Sequence, residues 1–186
     1  MNYKKNNCKL IIEIGVNHNG NINHAKRMID TISKYEIDYV KFQSFVAEEL
    51  CIKEAKLARY QKKNLSQNIS QLQMLKKYQL NYKDHLILYE YCKKKKLKFV
   101  SSVFGYKSFN LYNNFKTDFV KIPSGEINNI PFLKYLDEFN KNIILSTGMA
   151  TKKEIDNAVN NLRKTRNKQK LSLMHCVSSY PAKFDE

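Results

Sequence analysis

Three charged side chains stand where a strand built only for packing would not carry them. Glu13 lies inside Ile11-Ile12-Glu13-Ile14-Gly15, Lys41 between Val40 and Phe42, and Lys121 between Val120 and Ile122. Stripping water from an ammonium costs several kcal/mol, roughly, unless an anion or a set of acceptors meets it. One lysine and the glutamate can account for each other as a structural ion pair inside a barrel. A second lysine is then left over, and it asks for a ligand carboxylate or phosphate. Ser102, Ser124 and Ser146 fall at or just past the ends of apolar runs. Hydroxyls combined with loop amides are suitable phosphate donors. Each serine alone is an ordinary strand-end residue; beside two lysines in apolar surroundings they describe a wall that binds an anion. Gly125 and Gly148 let the backbone approach a ligand closely. Glu126 is a candidate acid or base, or equally a carboxylate at a helix start.

The elements that position these residues follow from periodicity. Runs 9–15, 38–44, 97–104, 118–124, 142–148 and 170–181 read as strands. Between them, Ile22, Ala25, Met28, Ile29 and Ile32 share one helix face, and Asn81 can cap a helix running to about residue 96 with Asp84 in its first turn. Residues 106–115 form a short helix, and 129–139 another with Pro131 at its start. Thr151 and Glu154 make a capping box ahead of Ile155, Ala158, Val159 and Leu162. The charged, irregular segment 46–80 reads as an insertion or lid, with a helix from Ser70 to Lys77.

Strands alternating with helices specify a parallel α/β protein. A doubly wound sheet would place a glycine-rich phosphate loop after the first strand, and neither GxGxxG nor GxxxxGK[ST] occurs. Instead the strands end in polar residues: Asn17/His18, Gln43/Ser44, Ser101/Ser102, Ser124/Glu126, Ser146/Thr147 and Ser178/Ser179. That is where a (β/α)8 TIM barrel keeps its functional residues. The expectation is an incomplete barrel of about six of the eight βα units. Residues 1–186 would then be a partial catalytic domain, from a truncated reading frame or a fragment.

Composition narrows the function classes. No apolar run is long enough for a membrane span, and no signal-peptide core follows the start, so a cytoplasmic protein is expected. The formal net charge is +16, but the excess is nearly all lysine in a chain rich in Asn, Ile and Tyr. Arginine, which forks onto phosphates and bases, occurs only at Arg27, Arg59, Arg163 and Arg166. A solvated basic surface is expected, with no nucleic-acid partner. Cys8, Cys51, Cys92 and Cys176 show no CxxC and read as reduced, mostly buried thiols. His18, His24, His85 and His175 form no HxxxH pair, so these residues specify no metal site.

The motifs IIEIGVNHNG (11–20), VKFQSF (40–45), VSSVF (100–104), VKIPSGEINNIP (120–131), IILSTGMAT (143–151) and LMHCVSSYP (173–181) resemble, in order and spacing, the sialic acid synthase family. This family, also called N-acetylneuraminate synthase, includes the bacterial legionaminate and pseudaminate synthases. The resemblance runs from residue 9 onward. It implies a metal-dependent (β/α)8 barrel that condenses phosphoenolpyruvate with an acylated amino-sugar such as N-acetylmannosamine. The enol carbon attacks the sugar aldehyde, water adds to the resulting cationic carbon, and phosphate leaves by C–O cleavage. On this similarity Lys41, Lys121, Ser102, Ser124 and Ser146 hold phosphoenolpyruvate, and Ser178 completes the phosphate contact. Some members have asparagine in place of that serine. Glu13 and Glu126 handle protons or orient the sugar and the tetrahedral intermediate. Gln43 and Tyr180 line the sugar pocket, with Asn17 and His18 near the rim. The 46–80 segment, with Tyr60 and Gln61, contributes to amino-sugar recognition.

The family's divalent metal, manganese or magnesium, sits on two histidines of strands seven and eight, which this reading places beyond Glu186. His18 and His175 do not replace them, and His175 reads as core. The small C-terminal antifreeze-like domain that closes the partner's site in the family homodimer is placed there too. These 186 residues are therefore expected to lack turnover alone. A Schiff-base aldolase is a competing reading, because a lysine ending a barrel strand can form an imine. So is a related phosphoenolpyruvate aldol synthase making a different keto-sugar acid. The non-enzyme alternative is an inactive barrel fragment that binds anions or partners, with open sheet edges prone to self-association.

Overall fold

In the computed structural model, residues 8–53, 55, 69–139, 141–162 and 171–178 are described. Tyr60, Gln61, Tyr180 and the basic run 163–170 lie outside them. The chain alternates strand and helix. Strands β1 (Ile11–Gly15) and β2 (Tyr39–Ser44) flank helix α1 (Ile22–Ile32). Helices α2 (Ala47–Leu50), α3 (Gln71–Tyr78) and α4 (Tyr82–Lys94) precede β3 (Lys98–Val103). Then come α5 (Gly105–Asn113), β4 (Val120–Ile122), α6 (Ile130–Asp137), β5 (Ile143–Ser146), α7 (Lys152–Leu162) and β6 (Leu171–Met174).

Local chemistry starts these helices where the sequence indicates. Asn21 accepts from the His24 amide, and Ser70 with Gln73 and Asn81 with Asp84 form reciprocal capping boxes. Thr151 and Glu154 exchange the same pair of bonds ahead of α7. Pro131 sits in the first turn of α6, where its missing N–H costs nothing. α4 ends in a Schellman turn: the Leu97 amide donates to the Cys92 carbonyl and the Lys96 amide to that of Lys93, both at 2.9 Å. This places Lys96 at φ +59°, in the left-handed region.

The six strands pair in parallel and in sequential order, β1 to β6. This is the arrangement of an incomplete (β/α)8 barrel, with each crossover made through helices. One sheet face is packed by the helices around a core that includes Ile14, Phe42, Val103, Ile122 and Leu145. The opposite face carries two layers. Tyr39, Val100 and Phe119, with Ile11 and Ile144 against them, make an apolar floor. Two residues further along the same five strands stand Glu13, Lys41, Ser102, Lys121 and Ser146. Because side chains alternate along a strand, each of these five rises on the same face just above the floor.

Several sequence expectations are corrected. β4 is three residues long rather than seven, and Ser124–Glu126 is a turn of 3-10 helix after Pro123, which has no N–H to continue a ladder. β6 stops at Met174, because the Thr147 amide and hydroxyl both turn onto the Met174 carbonyl at 3.1 Å. His175 is exposed rather than core. Of the four cysteines only Cys92 is buried, Cys51 and Cys176 are half-buried and Cys8 is exposed.

Candidate active site

The register of the sheet brings the charged row together. Glu13 is the Cα partner of Lys41, Gln43 of Ser102, and Ser102 of Lys121. Lys41 is 8% exposed; its ammonium forms an ion pair with Glu13 and donates to Ser102 Oγ at 3.0 Å. Gly15, at φ +56°, lies against the Glu13 carboxylate, which a Cβ there would meet at 2.9 Å, with Gln43 Nε2 at 3.6 Å. A glycine is required here both by the backbone and by the crowding of Glu13. The β1–β2 corner of the site is therefore neutralised within itself.

The β4–β6 corner differs. No hydrogen bond or ion pair meets the Lys121 ammonium among the described residues. Burial holds its pKa down at about 8, helped by the like charge of Lys41, while Cys176 and Glu13 pull the other way. Around it are donors. The Gly148 amide points at Ser124 Oγ, 3.0 Å away. A Cβ on Gly148 would stand 2.6 Å from Ser178 Oγ and 3.0 Å from Ser124 Oγ, so Ser124, Gly148 and Ser178 converge from three successive strand ends. Ser146 Oγ takes the Cys176 thiol proton at 3.3 Å and reaches Met174 Sδ at 3.9 Å. The row and the strand ends beyond it thus carry two lysines and the hydroxyls of Ser102, Ser124, Ser146 and Ser178, with the Glu13 carboxylate already paired to Lys41. Such a set favours an anion with several oxygens.

Glu126 is half-buried, and its Oε2 accepts from Asn129 Nδ2 at 2.7 Å. Asn129 is the N-cap of α6, so this carboxylate supports a helix start as well as facing the loop. Asn17 is exposed and lines a cleft of about 360 Å³ with Glu13, His24, Arg27 and Met28, at the edge of β1. His18 is not at the rim. It is fully buried, its Nδ1 accepts from the Gly20 amide at 3.0 Å, and desolvation, reinforced by His85, holds its pKa down at about 4. The loop folds back on itself here because Gly20, at φ +73°, packs against the Lys77 carbonyl at the end of α3.

Two features escaped the sequence reading. Cys176 borders the row through Ser146, and its only signal was its place two residues before Ser178. Ser44 and Ser101, grouped with the strand-end hydroxyls, point to the opposite face, where both bond to each other beside His85. Among the described residues no group of three or more His, Cys, Asp and Glu side chains could hold a metal ion. The donor set of the expected manganese or magnesium is thus not assembled there. No helix among the described residues is long and apolar enough to cross a membrane.

The NeuB family profile matches residues 28–186. The chain is 46% identical over 178 residues to the N,N'-diacetyllegionaminic acid synthase of Campylobacter jejuni, covering 95% of this chain and 53% of that protein. It is 35% identical over 182 residues to the enzyme of the same name from Legionella pneumophila, covering 96% and 51%. The chain spans about half the length of these curated relatives. Among solved structures, the N-acetylneuraminic acid synthetase of Leptospira borgpetersenii superposes with a TM-score of 0.79 at 30% identity, over 95% of this chain and 56% of that one. A truncated 3-deoxy-D-arabino-heptulosonate 7-phosphate synthase from Thermotoga maritima gives 0.62 at 15%, over 90% and 51%, a likeness of fold alone.

Proposed function

From the premise that the chain belongs to the NeuB family, we propose that it carries the phosphoenolpyruvate-binding wall of a carbon–carbon bond-forming synthase. The second substrate is N-acetylmannosamine or a related acylated amino-sugar, and the products are a nonulosonic acid and phosphate. The observation that carries this reading is the desolvated Lys121, without an ion pair or hydrogen bond among the described residues, in register with Ser102 and so next to the Lys41–Ser102 contact. A phosphate ester with an adjacent carboxylate supplies the negative charge this corner lacks.

Lys41 and Lys121 hold the two anionic ends, and Ser124, Ser146 and Ser178 with the Gly148 amide orient the phosphate. The methylene carbon of phosphoenolpyruvate forms the new bond to the aldehyde carbon of the open-chain sugar, whose oxygen takes up a proton. Water adds to the adjacent carbon, the cationic one that bears the phosphate, and gives up a proton; the C–O bond to phosphate then breaks to leave the ketone and inorganic phosphate. Glu13, next to Lys41, is placed to manage a proton in these steps; Glu126, on the loop after β4, is the second candidate. Gln43, next to Ser102 in register, is assigned with Asn17 and Tyr180 to the sugar pocket. A divalent metal supplies electrophilic help in the family. The described residues do not form its site, and no step here passes through it. The remaining half of the relatives' length supplies the metal ligands and barrel closure on this reading, in a cytoplasmic homodimer.

The test is calorimetric titration of the purified chain with phosphoenolpyruvate, alongside a phosphate-release assay with N-acetylmannosamine and manganese. Binding without turnover is expected. Absence of binding overturns the anion-site assignment, and robust turnover overturns the view that these residues need the rest of the barrel. A second reading has its own support. A lysine near pKa 8 is what an imine-forming aldolase uses. Borohydride reduction in the presence of pyruvate decides it: a covalent adduct on Lys121 or Lys41 favours the aldolase.

A further inference from the structure

Among the described residues the layer between sheet and helices is mostly apolar, with buried polar side chains at His18, at Ser108 and along one seam between β2, β3 and α4. Ser44 at the end of β2, Ser101 on β3 and His85 on α4 are all at most 1% exposed. His85 Nδ1 lies 2.9 Å from the Asn81 carbonyl oxygen, which can only accept, so Nδ1 carries the proton. His85 Nε2 is then the acceptor for the Ser44 hydroxyl at 2.8 Å. Because the Ser44 proton goes to His85, the Ser101 hydroxyl donates to Ser44 Oγ at 2.8 Å; Ser101 Oγ also lies 3.2 Å from the carbonyl of Ser102, the next residue along β3. Ser102 is the residue whose hydroxyl takes the Lys41 ammonium on the other face.

Both faces of the β2–β3 seam are thus bonded at neighbouring rungs, Phe42 against Ser101 and Gln43 against Ser102. Capping does not require the histidine, because Asn81 and Asp84 already cap α4 by themselves. Packing does not require it either, since Phe99, Leu88 and Cys92 fill the same layer. A buried polar chain of this kind costs desolvation unless every member is satisfied, and it then fixes one arrangement.

We propose that His85 is a positioning residue: through Ser44 it fixes Ser101 in β3, and so the hydroxyl of the next residue, Ser102, that holds Lys41 in the anion-binding wall. The inference rests on the reading of that wall given above, but its first test needs no ligand. Competitive labelling of lysine amines, read by peptide mass spectrometry, reports how firmly Lys41 is held. In folded His85→Leu, Lys41 is expected to label about tenfold faster, while His85→Gln, which keeps an acceptor for the Ser44 hydroxyl, restores the native rate. Leu88→Ala, one turn along the same helix, is the destabilised control and should leave Lys41 unchanged. Unchanged labelling in folded His85→Leu, or an equal rise in Leu88→Ala, overturns the proposal. If His85→Leu does not fold, Ser101→Ala breaks the same chain without touching the helix and is read the same way.

The second test is a double-mutant cycle of His85→Leu and Ser102→Ala on phosphoenolpyruvate affinity. Non-additive losses are expected, and additivity overturns the coupling. A native chain that fails to bind phosphoenolpyruvate refutes the anion-site reading while leaving the labelling result to decide the role of His85.

Discussion

The two lysines of the site occupy the same sheet face two strands apart, yet their surroundings differ. Lys41 has a carboxylate and a hydroxyl and is complete in the empty protein. Lys121 has neither an ion pair nor a hydrogen bond among the described residues, and its ammonium is held near the point of losing its proton. The difference divides one row into a lysine paired within the protein and a lysine with no such partner among the described residues. The β1–β2 corner stabilises the fold by pairing its own charges. The β4–β6 corner holds a desolvated cation with no compensating partner among the described residues.

That contrast predicts opposite responses to substitution. The largest effect is expected for Lys121→Met, which should weaken phosphoenolpyruvate binding by about 3 kcal/mol, on the order of 100-fold. It should also raise the thermal midpoint, because a thioether has no lost hydration to recover. Calorimetric titration and thermal unfolding of the same sample check both signs; a fall in both quantities would merge the two corners into one structural network. Glu13→Gln should act in reverse. It leaves Lys41 without its carboxylate, and since Glu13 is nearly half exposed the stability loss should be only about 1 kcal/mol. Removing the negative charge should tighten anion binding roughly fivefold.

The same asymmetry sets a pH dependence. The folded-state pKa of Lys121 lies below its ordinary 10.5, so between about 8 and 10.5 the unfolded chain binds more protons. The empty protein therefore gains stability from this group as pH rises through that window. A bound anion favours the ammonium, so affinity moves the other way, falling about fivefold between about pH 8 and pH 9. Titrations across that range in the native protein and in Lys121→Arg should show the fall in the first and a flat profile in the second. The smallest effect is a control outside both corners. Lys96 sits at φ +59° after α4, where glycine has no Cβ penalty. Lys96→Gly should stabilise by about 0.5–1 kcal/mol in chemical denaturation and leave anion binding unchanged.

Much of this was legible beforehand because it is local. Asn81 with Asp84 and Thr151 with Glu154 announced helix starts that the structure contains within a residue or two, since a cap is made by neighbours in sequence. Glu13, Lys41 and Lys121 stood out as charges in apolar strands, and register placed them side by side. The misses are of another kind. Lys96 falls at the end of the helix expected to run to about residue 96, and periodicity alone carries no sign of φ. His18 looked like a loop residue at the rim; the left-handed turn at Gly20 and the close approach of α3 bury it. Ser44 and Ser101 were grouped with the strand-end hydroxyls. One residue's difference in strand position put them behind the sheet instead, beside a histidine some forty residues away in sequence.

The sequence by itself determined the alternation of strands and helices, the apolar floor with a polar row two residues on, and the charges that row would carry. These depend on residue type and on a spacing of two or of three to four, which survive without coordinates. Tertiary structure decided how the charges divide. Only the parallel register sets Glu13 against Lys41 and leaves Lys121 beside Ser102, without a carboxylate partner among the described residues, because an ion pair depends on distance across strands and not on order along the chain.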